Sequence, residues 1–196
     1  EEDFVEHLFV ASTHEALLFF TAQGRCYWLK VHEVPQASRY ARGTAIANLL
    51  ALQKDERLST FVAVKDFSSE KFLVMATKQG TVKKTALDAY ANPRKAGIIA
   101  ITLEQGDALI EAEVTDGKQE LLLVTRQGKA IRFPEEQARD VGRSARGVRG
   151  IRLGKGDEVI AMALATPKAE LLTVTALGFG KRTTVEEYRL QSRGGK

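Results

Sequence analysis

The residues best suited to chemistry in this sequence form a run of arginines and glycines at positions 139–156. Its basic members, opposed only by Asp140, are Arg139, Arg143, Arg146, Arg149, Arg152 and Lys155. A guanidinium group can donate paired hydrogen bonds to phosphate oxygens, and interleaved glycines let backbone amides approach such a group closely. The run therefore predicts a surface that binds phosphate or a similar anion.

No combination of side chains predicts a catalytic or metal centre. His7, His14 and His32 have no cysteine at a metal-site spacing, and Cys26 lies in a β-prone run as a small core residue would. The acid pairs at 135–136 and 186–187 are adjacent on predicted strands and so face opposite ways. Lys155 is not followed by the Ser or Thr of a phosphate-binding loop. We therefore expect no catalytic residue, metal or cofactor in this chain.

The composition is that of a globular protein with a modest basic excess. Hydrophobic residues make up 44% of the 196 residues, and 29 Lys and Arg face 25 acids, for a net charge of +4. That excess is compatible with an anionic partner. A single cysteine favours a reducing compartment, the acidic start is unlike a signal peptide, and no apolar run approaches the roughly 18 residues of a membrane span. We expect a cytoplasmic protein with no membrane partner.

The chain repeats itself. Four ten-residue segments align: 15–24 (EALLFFTAQG), 71–80 (KFLVMATKQG), 119–128 (QELLLVTRQG) and 169–178 (AELLTVTALG). Each has a Leu seven residues before its final Gly and a Thr three residues before it, and the glycines are separated by 56, 48 and 50 residues. Such a period is typical of architectures in which each unit packs only on its neighbours.

Each unit predicts four strands. The first ends at the Gly, which can take the positive φ of a hairpin turn, and the second follows at 25–31, 81–86, 129–133 and 180–185. After a loop, a third apolar run spans 46–52, 98–103 and 148–153. An acidic turn with Asp55, Asp107 or Asp157 then leads to a fourth strand at 58–64, 108–114 and 159–164. Helical periodicity is weak, and we expect at most one turn, at 134–138.

Four strands in about 50 residues are typical of a propeller blade, so the fold class is predicted to be all-β and propeller-like. We expect one repeat domain over residues 1–196. Its units are 13–70, 71–118, 119–168 and a partial unit at 169–196, and residues 1–12 hold the final strand of an earlier blade. These ragged ends predict a partial set of blades.

Basic residues occupy the same two places in the units. Those on the second strand are Arg25, Lys30, Lys83, Lys84, Lys129, Arg132, Lys181 and Arg182. Those in the loop and the third run are Arg39, Arg42, Arg94, Lys95, Arg143, Arg146, Arg149, Arg152, Arg189, Arg193 and Lys196. One charge on a strand is usually just a solvated face, but stacked repeats bring equivalent positions onto one edge. We therefore predict a basic rim made of these residues.

The composition of this rim favours double-stranded DNA. Proteins that bind single strands expose aromatic platforms, whereas Phe19, Phe20, Phe61 and Phe72 lie at strand positions expected in the core. The sequence has no recognition helix and no set of residues suited to reading bases. We expect contacts to the DNA backbone, and bending of the duplex, with little sequence specificity.

Three segments carry a resemblance to a known family. The segments 76–85 (ATKQGTVKKT), 147–157 (GVRGIRLGKGD) and 178–183 (GFGKRT) look like blades of the C-terminal DNA-wrapping domain of bacterial DNA gyrase A. The resemblance extends over the whole chain. It implies a six-bladed β-pinwheel whose neighbouring blades exchange a strand, and around whose perimeter duplex DNA wraps to support negative supercoiling.

The resemblance also implies the partners. They would be double-stranded DNA, the rest of the gyrase A protein and the gyrase B protein, with the domain itself monomeric and the enzyme in the bacterial cytoplasm. The cleavage tyrosine, ATP and Mg²⁺ would belong to other parts of that enzyme, an ATP-dependent type IIA topoisomerase. None of Tyr27, Tyr40, Tyr90 and Tyr188 has a context resembling the cleavage site.

The family's defining heptapeptide consists of a Gln, two basic residues, two glycines, a basic residue and a Gly, in the first blade. The closest match here is box-like and lies in the last unit: Gln191, Ser192, Arg193, Gly194, Gly195 and Lys196. Ser192 replaces a basic residue. By order along the chain, residue 1 comes just after the place of the true box, so the Gln191 segment is interpreted as a box-like copy in a later blade.

Three alternative functions can be compared with the sequence. The first is the related DNA-binding domain of the topoisomerase IV subunit. The second is a propeller whose basic rim binds an acidic protein, which predicts an exposed apolar patch of a few hundred Å². The third is a hydrolase on a propeller scaffold, which would need converging carboxylates or histidines that the sequence does not offer.

Overall fold

The computed structural model describes residues 7–195, and its regular structure is almost entirely β-strand. In chain order the strands are β1 (Ala16–Thr21), β2 (Arg25–Lys30), β3 (Leu58–Val64), β4 (Phe72–Thr77), β5 (Thr81–Ala86), β6 (Ile98–Ile99), β7 (Leu109–Thr115), β8 (Glu120–Thr125), β9 (Ala130–Pro134), β10 (Val148–Arg149), β11 (Val159–Leu164), β12 (Glu170–Val174) and β13 (Gly180–Thr184). The all-β, propeller-like fold class predicted from the repeat is confirmed.

The four hairpins close in the same way because Thr and Gly recur. In the first, the Gly24 amide donates to the Thr21 carbonyl at 2.9 Å, and the Thr21 hydroxyl accepts from the Arg25 amide at 3.2 Å. Gly24 has a φ of +81°, the left-handed conformation that follows a type I turn in a three-residue hairpin loop. The same two bonds recur at Thr77, Thr125 and Thr175. The predicted hairpins are confirmed, and the repeated Thr and Gly are explained by this turn.

A complete blade has four strands because its outermost strand comes from the following unit, and we call such a strand a lent strand. The first sheet has the order β3-β1-β2-β6 and the second β10-β5-β4-β7. The second unit supplies β6, which pairs with β2 through Cys26 and Ile98, and the third supplies β10, which pairs with β5 through Val82 and Val148. The third sheet has the order β11-β8-β9 and the last is the pair β12-β13. The exchange implied by the family resemblance is present.

Neighbouring sheets share their cores. One buried cluster joins Leu18 and Phe20 of the first sheet to Leu73 and Met75 of the second, and another joins Val74 to Leu121 of the third. At the inner edges β7 packs against β3 and β11, and the Ser59 hydroxyl of β3 donates to the Leu109 carbonyl at 2.8 Å. The lent strands β6 and β10 therefore lie at the outer edges.

The third run of the first unit is not a strand. Residues Ile46–Asn48 form a 3-10 turn, and Ile46 and Leu50 pack against Tyr27 and Leu29 of the same unit. The prediction of a strand at 46–52 was wrong because a third run pairs with the second strand of the unit before it. Within residues 7–195 no such strand precedes the first unit.

The strand predicted at residues 1–12 is not found in its described part. Residues 7–12 have no strand pairing, and residues 1–6 lie outside the described residues. The segment is held by side chains: the Phe9 and Phe61 rings lie 4.5 Å apart between centroids. β3, which carries Phe61, bonds through its backbone to β1 and offers this segment an aromatic contact instead.

Between residues 7 and 195, helical structure is limited to short 3-10 turns. The predicted turn at 134–138 is found at Glu135–Gln137. Similar turns follow the second strand in the other units at Val31–Glu33, Leu87–Tyr90 and Val185–Glu187. The prediction of at most one turn was therefore wrong, because a turn of three or four residues leaves no helical pattern in the sequence.

In the first unit, the acidic residue of the turn after the third run lies one position later than the predicted Asp55. Asp55 has a φ of +66°, as Gly106 and Gly156 do at +76° and +73°. The carboxylate equivalent to Asp107 in the first unit is therefore Glu56. Asp tolerates the left-handed region better than most residues, so an Asp can stand where the other units have Gly.

Alanine substitutions at two hairpin glycines test the strand exchange between units, because only one of these glycines lies against a run from the next unit. A Cβ at Gly24 would lie 2.6 Å from the Ile101 carbonyl oxygen in the third run lent by the second unit, whereas a Cβ at Gly128 would meet nothing within 4 Å. Gly128→Ala should cost about 1–2 kcal/mol for left-handed backbone alone. Gly24→Ala should cost about 2–4 kcal/mol, because the lent run must also move. Urea unfolding measures both, and equal losses would contradict this account of the exchange.

Candidate nucleic-acid interface

Strand exchange brings together the two predicted sets of basic residues, those on the second strand of one unit and those in the loop before the third run of the next. The loop that precedes β10 runs along β5, where the Val141 amide donates to the Lys84 carbonyl at 3.0 Å. The loop that precedes β6 runs along β2, where the Arg25 guanidinium donates to the Ala96 carbonyl and to that of Gly97. The second strand of one unit and the basic loop of the next therefore form one outer edge.

Two predicted DNA contacts are buried in this edge. Lys83 is 1% exposed, and its ammonium donates to the carbonyls of Ala100 and Arg143. Lys84 is 8% exposed and lies 5.1 Å from the centre of the Phe72 ring. Predicting Lys83 and Lys84 as phosphate contacts was wrong, because the lent strand and its loop cover β5 on the outside.

Arg25 and Arg132 are half-buried and hold neighbouring units together. The Arg25 Nε lies 3.4 Å from a carboxylate oxygen of Glu56. Arg132 forms an ion pair with Glu120 and donates to the Val185 carbonyl of the fourth unit at 3.0 Å. These bonds use part of each guanidinium group within the protein, and the role of Arg25 and Arg132 as DNA contacts stays a prediction.

Arg143 and Arg193 play the same part in successive loops. Arg143 donates to the Ile99 carbonyl in the third run of the second unit, and Arg193 donates to the Arg149 carbonyl in the third run of the third unit. Arg193 also donates to the Gln137 carbonyl at 3.0 Å. Each arginine thus holds its loop against the third run of the unit before it. Both residues are partly exposed, and their role as phosphate contacts stays a prediction.

The box-like segment is also held against the preceding unit, by backbone hydrogen bonds. The Gln191 amide donates to the Arg132 carbonyl at 2.8 Å, the Gly194 amide donates to Gly150 at 2.7 Å, and the Gly195 carbonyl accepts from the Arg152 amide at 2.8 Å. Ser192 is exposed, and Lys196 lies outside the described residues. The segment lies on the third unit much as the loop before β10 lies on the second.

The remaining predicted contacts stay exposed. They are Lys30, Arg39, Arg42, Arg94, Lys95, Lys129, Arg146, Arg149, Arg152, Lys181, Arg182 and Arg189. Arg39 and Arg42 lie in an irregular segment, whereas Arg149 lies on the lent strand β10. Two members are paired with acids: Arg146 with Glu104 at 2.7 Å and Arg182 with Glu170 at 3.1 Å. We name these exposed residues the basic edge.

The hairpin turns carry two basic residues that the sequence pattern did not single out. Lys78 and Arg126 lie in the turns of the second and third units, and both form ion pairs with Glu158, at 2.8 and 2.9 Å. Lys78 and Arg126 precede the glycines that close the turns, whereas the basic residues predicted on the second strands follow those glycines. A search on both sides of the glycine would have found them.

Burial gives Lys83 an unusual protonation equilibrium. Desolvation, and then the neighbouring Arg143 guanidinium, lower the pKa of Lys83 to about 7, against a smaller effect of Asp140. Cys26 is also buried, and desolvation raises the pKa of its thiol. Cys26 therefore lies in the core as predicted, and the buried Lys83 side chain changes from charged to neutral as pH rises through about 7.

Neither a metal cluster nor a membrane helix is found in the described part of the chain. Residues 7–195 hold no group of three His, Cys, Asp or Glu side chains arranged to bind a metal ion. Within the same residues, no helix has the length and apolar character to cross a membrane.

Lent outer strands, shared cores and an exposed basic edge together define a β-pinwheel repeat domain of the propeller class. A sequence model described as "DNA gyrase C-terminal domain, beta-propeller" matches residues 15–65, 71–116, 119–166 and 169–196. The chain therefore belongs to the DNA gyrase C-terminal domain family.

Individual relatives agree with this family. The chain is 56% identical over 196 residues to the DNA gyrase A protein of Clostridium acetobutylicum, and 46% identical over 193 residues to that of Salmonella typhimurium. These alignments cover 100% and 98% of the chain but only 24% and 22% of the relatives. The chain thus spans about a quarter of each of these type II topoisomerase subunits.

Two solved structures share the fold. The C-terminal domain of DNA topoisomerase IV superposes with a TM-score of 0.85 and 32% identity, covering 94% of this chain and 58% of that chain. A C-terminal domain of DNA gyrase A superposes with a TM-score of 0.80 and 24% identity, covering 94% of this chain and 59% of that one. The latter likeness supports the fold alone.

The protonation of Lys83 predicts how stability depends on pH. The pKa is 10.5 for an ordinary lysine and about 7 in the folded protein, so between these values the unfolded state binds more protons. The free energy of unfolding should therefore rise with pH in this window, whereas below pH 7 the cost of burying the charge is fully present. Lys83→Met removes this dependence.

The free energy of unfolding of the wild type should thus rise by roughly 2–4 kcal/mol relative to that of Lys83→Met between pH 7 and 10, measured by urea unfolding. The matched control is Lys118→Met, which removes an exposed lysine. Parallel curves for Lys83→Met and the wild type would contradict the assignment.

Proposed function

We propose that this domain binds duplex DNA along its basic edge, bends it and wraps it, as the C-terminal domain of a gyrase A protein. The observation that carries the proposal is the outer position of exposed cations such as Arg149, Arg152 and Lys129. No acid lies within ion-pair distance of these three among residues 7–195. Free cations are what a phosphate backbone requires.

The placement of these cations favours a duplex over a flexible strand. Arg149 lies on a lent strand, and its loop is fastened at both ends by backbone hydrogen bonds to the second unit. Rigid, equivalent edges on successive blades suit a continuous phosphate backbone, and DNA that follows them from blade to blade must bend. We accordingly infer little sequence specificity.

We infer that the chain contributes binding and no catalysis. The described residues hold no group of three His, Cys, Asp or Glu side chains arranged to bind a metal ion, and Tyr27 and Tyr90 are buried and bonded to Glu56 and to the Ala100 carbonyl. DNA cleavage and the use of ATP and Mg²⁺ would then belong to the rest of the gyrase A protein and to the gyrase B protein. The wrap would support negative supercoiling by presenting a DNA segment to that enzyme.

The apolar patch expected of a protein-interaction propeller has another explanation. Leu172 and Val174 are exposed on β12, where Leu122 and Val124 are the equivalents on β8. Leu122 is 1% exposed because the fourth unit packs over it. The exposed apolar face of the fourth unit is thus equivalent to the face through which the third unit packs on the fourth, and it does not favour an acidic protein as the partner.

Salt-dependent binding to duplex DNA tests the proposal. Wild-type affinity should rise with duplex length and fall steeply with salt. Replacing Arg149 and Arg152 with Ala should weaken binding to all duplex sequences alike and lower the slope of log affinity against log salt by about two. Fluorescence anisotropy on duplexes of unrelated sequence measures this.

The matched control is Lys118→Ala, an exposed lysine in the turn between β7 and β8, at the end of the sheets away from the hairpins. It should leave affinity and slope close to wild type. Equal losses in the control and the double variant, or a loss confined to one DNA sequence, would contradict the basic edge as the contact surface.

A further inference from the structure

The second and third units use the same turn after their third runs. Asp107 accepts hydrogen bonds from the Gln79 and Ala108 amides at 2.8 Å, and Asp157 accepts from the Gln127 and Glu158 amides at 3.0 and 2.9 Å. Gly106 and Gly156 precede these acids with nearly equal positive φ. The two turns can therefore be compared residue by residue, which pairs position 104 with position 154.

The following unit contacts each turn in the same way. The Thr102 amide donates to the Ala145 carbonyl at 3.3 Å, and the Arg152 amide donates to the Gly195 carbonyl at 2.8 Å. A basic loop thus lies beside positions 104 and 154 alike. The junction between the second and third units and the junction between the third and fourth units share one backbone arrangement.

Their charges differ at these two positions. At the first junction Glu104 pairs with Arg146, with 2.7 Å between the Glu104 Oε1 and the Arg146 Nη1. At the second junction the equivalent residue is Gly154, and a Cβ there would lie 3.5 Å from the Lys129 Nζ. No carboxylate occupies that place, and Lys129 and Arg152 stay exposed beside it.

The Glu104–Arg146 pair is exposed enough to exchange partners. The two side chains are 59% and 66% exposed, and such a surface pair contributes about 0–1 kcal/mol. A phosphate offers Arg146 the same bidentate acceptor that the carboxylate does. Arg149 lines the same cleft of about 260 Å³ beside the pair, so a phosphate drawn to Arg149 would also approach Glu104.

We propose that Glu104 weakens the hold of DNA on the first junction, because its carboxylate occupies Arg146 and repels phosphate. The second junction, which has Gly154 in its place, is then the stronger contact. This inference rests on the proposed function. It adds a residue, Glu104, that sets the affinity for DNA, and it predicts which of the two junctions binds DNA more tightly.

Charge swaps at the equivalent positions test the inference. Glu104→Gln should tighten duplex binding about three- to tenfold at low salt and steepen the salt slope by about one, as Arg146 becomes a phosphate contact. Gly154→Glu should weaken binding by a similar factor, because it places a carboxylate beside Lys129. Gly154→Gln, of the same size without the charge, should stay close to wild type. Fluorescence anisotropy with the whole chain measures all three variants.

A control variant and a second mutation show whether the effect of Glu104→Gln depends on its place beside Arg146 or only on the net charge of the protein. Asp66→Asn removes an exposed carboxylate that pairs with Lys71 at 3.1 Å, in the loop between β3 and β4, away from the hairpin turns. It should leave affinity unchanged. Arg146→Ala should cost less affinity in the wild type than in the Glu104→Gln background, since Glu104 competes with phosphate for Arg146.

The outcomes distinguish this inference from the function on which it rests. If the wild type binds duplex DNA but Glu104→Gln changes neither affinity nor slope, the role of Glu104 is wrong and DNA binding stands. If Asp66→Asn tightens binding as much as Glu104→Gln, net charge explains the effect and the inference fails. If the wild type does not bind duplex DNA, the proposed function itself fails.

Discussion

The structure depends on the backbone hydrogen bonds between one unit's hairpin and the next unit's third run. The Ala100 amide donates to the Gly24 carbonyl at 2.8 Å, and the Gly150 amide donates to Gly80 at 2.7 Å. Without these bonds the outer edges of β2 and β5 would leave peptide groups without partners, which is costly and invites aggregation. Satisfying that edge from the next unit ties the units together and fixes where the intervening loop lies.

This constraint divides the basic residues into two layers. The inner layer, which includes Lys83, Arg132 and Arg143, donates to backbone carbonyls and carboxylates at the junctions. The outer layer, which includes Arg149 and Lys129, faces solvent. Charged hydrogen bonds to carbonyls hold the loops against their neighbours, and the outer residues are thereby presented on a rigid backbone. A surface that contacts phosphates gains from such rigidity, because less conformational freedom is lost on binding.

The repeat is regular in backbone and irregular in charge. The hairpin turns and the acid-capped turns of the second and third units coincide bond for bond, yet one junction carries the Glu104–Arg146 pair and the other carries Gly154. Backbone geometry is constrained because neighbouring sheets share their cores, whereas an exposed side chain can change at little cost to folding. Binding strength can therefore differ from blade to blade on an unchanged scaffold.

The sequence by itself determined the repeat, the hairpins and the all-β class, because Thr, Gly and apolar residues act locally through turn geometry and strand alternation. It also placed Cys26 in the core and carried the resemblance to the gyrase C-terminal family. Only the tertiary structure decided that Lys83 and Lys84 are buried, that Arg143 fastens a loop, and that residues 46–52 form no strand. Those outcomes depend on which unit covers which edge, and a residue's partners across 40 or more positions, such as Arg143 and Ile99, leave no local pattern in the chain.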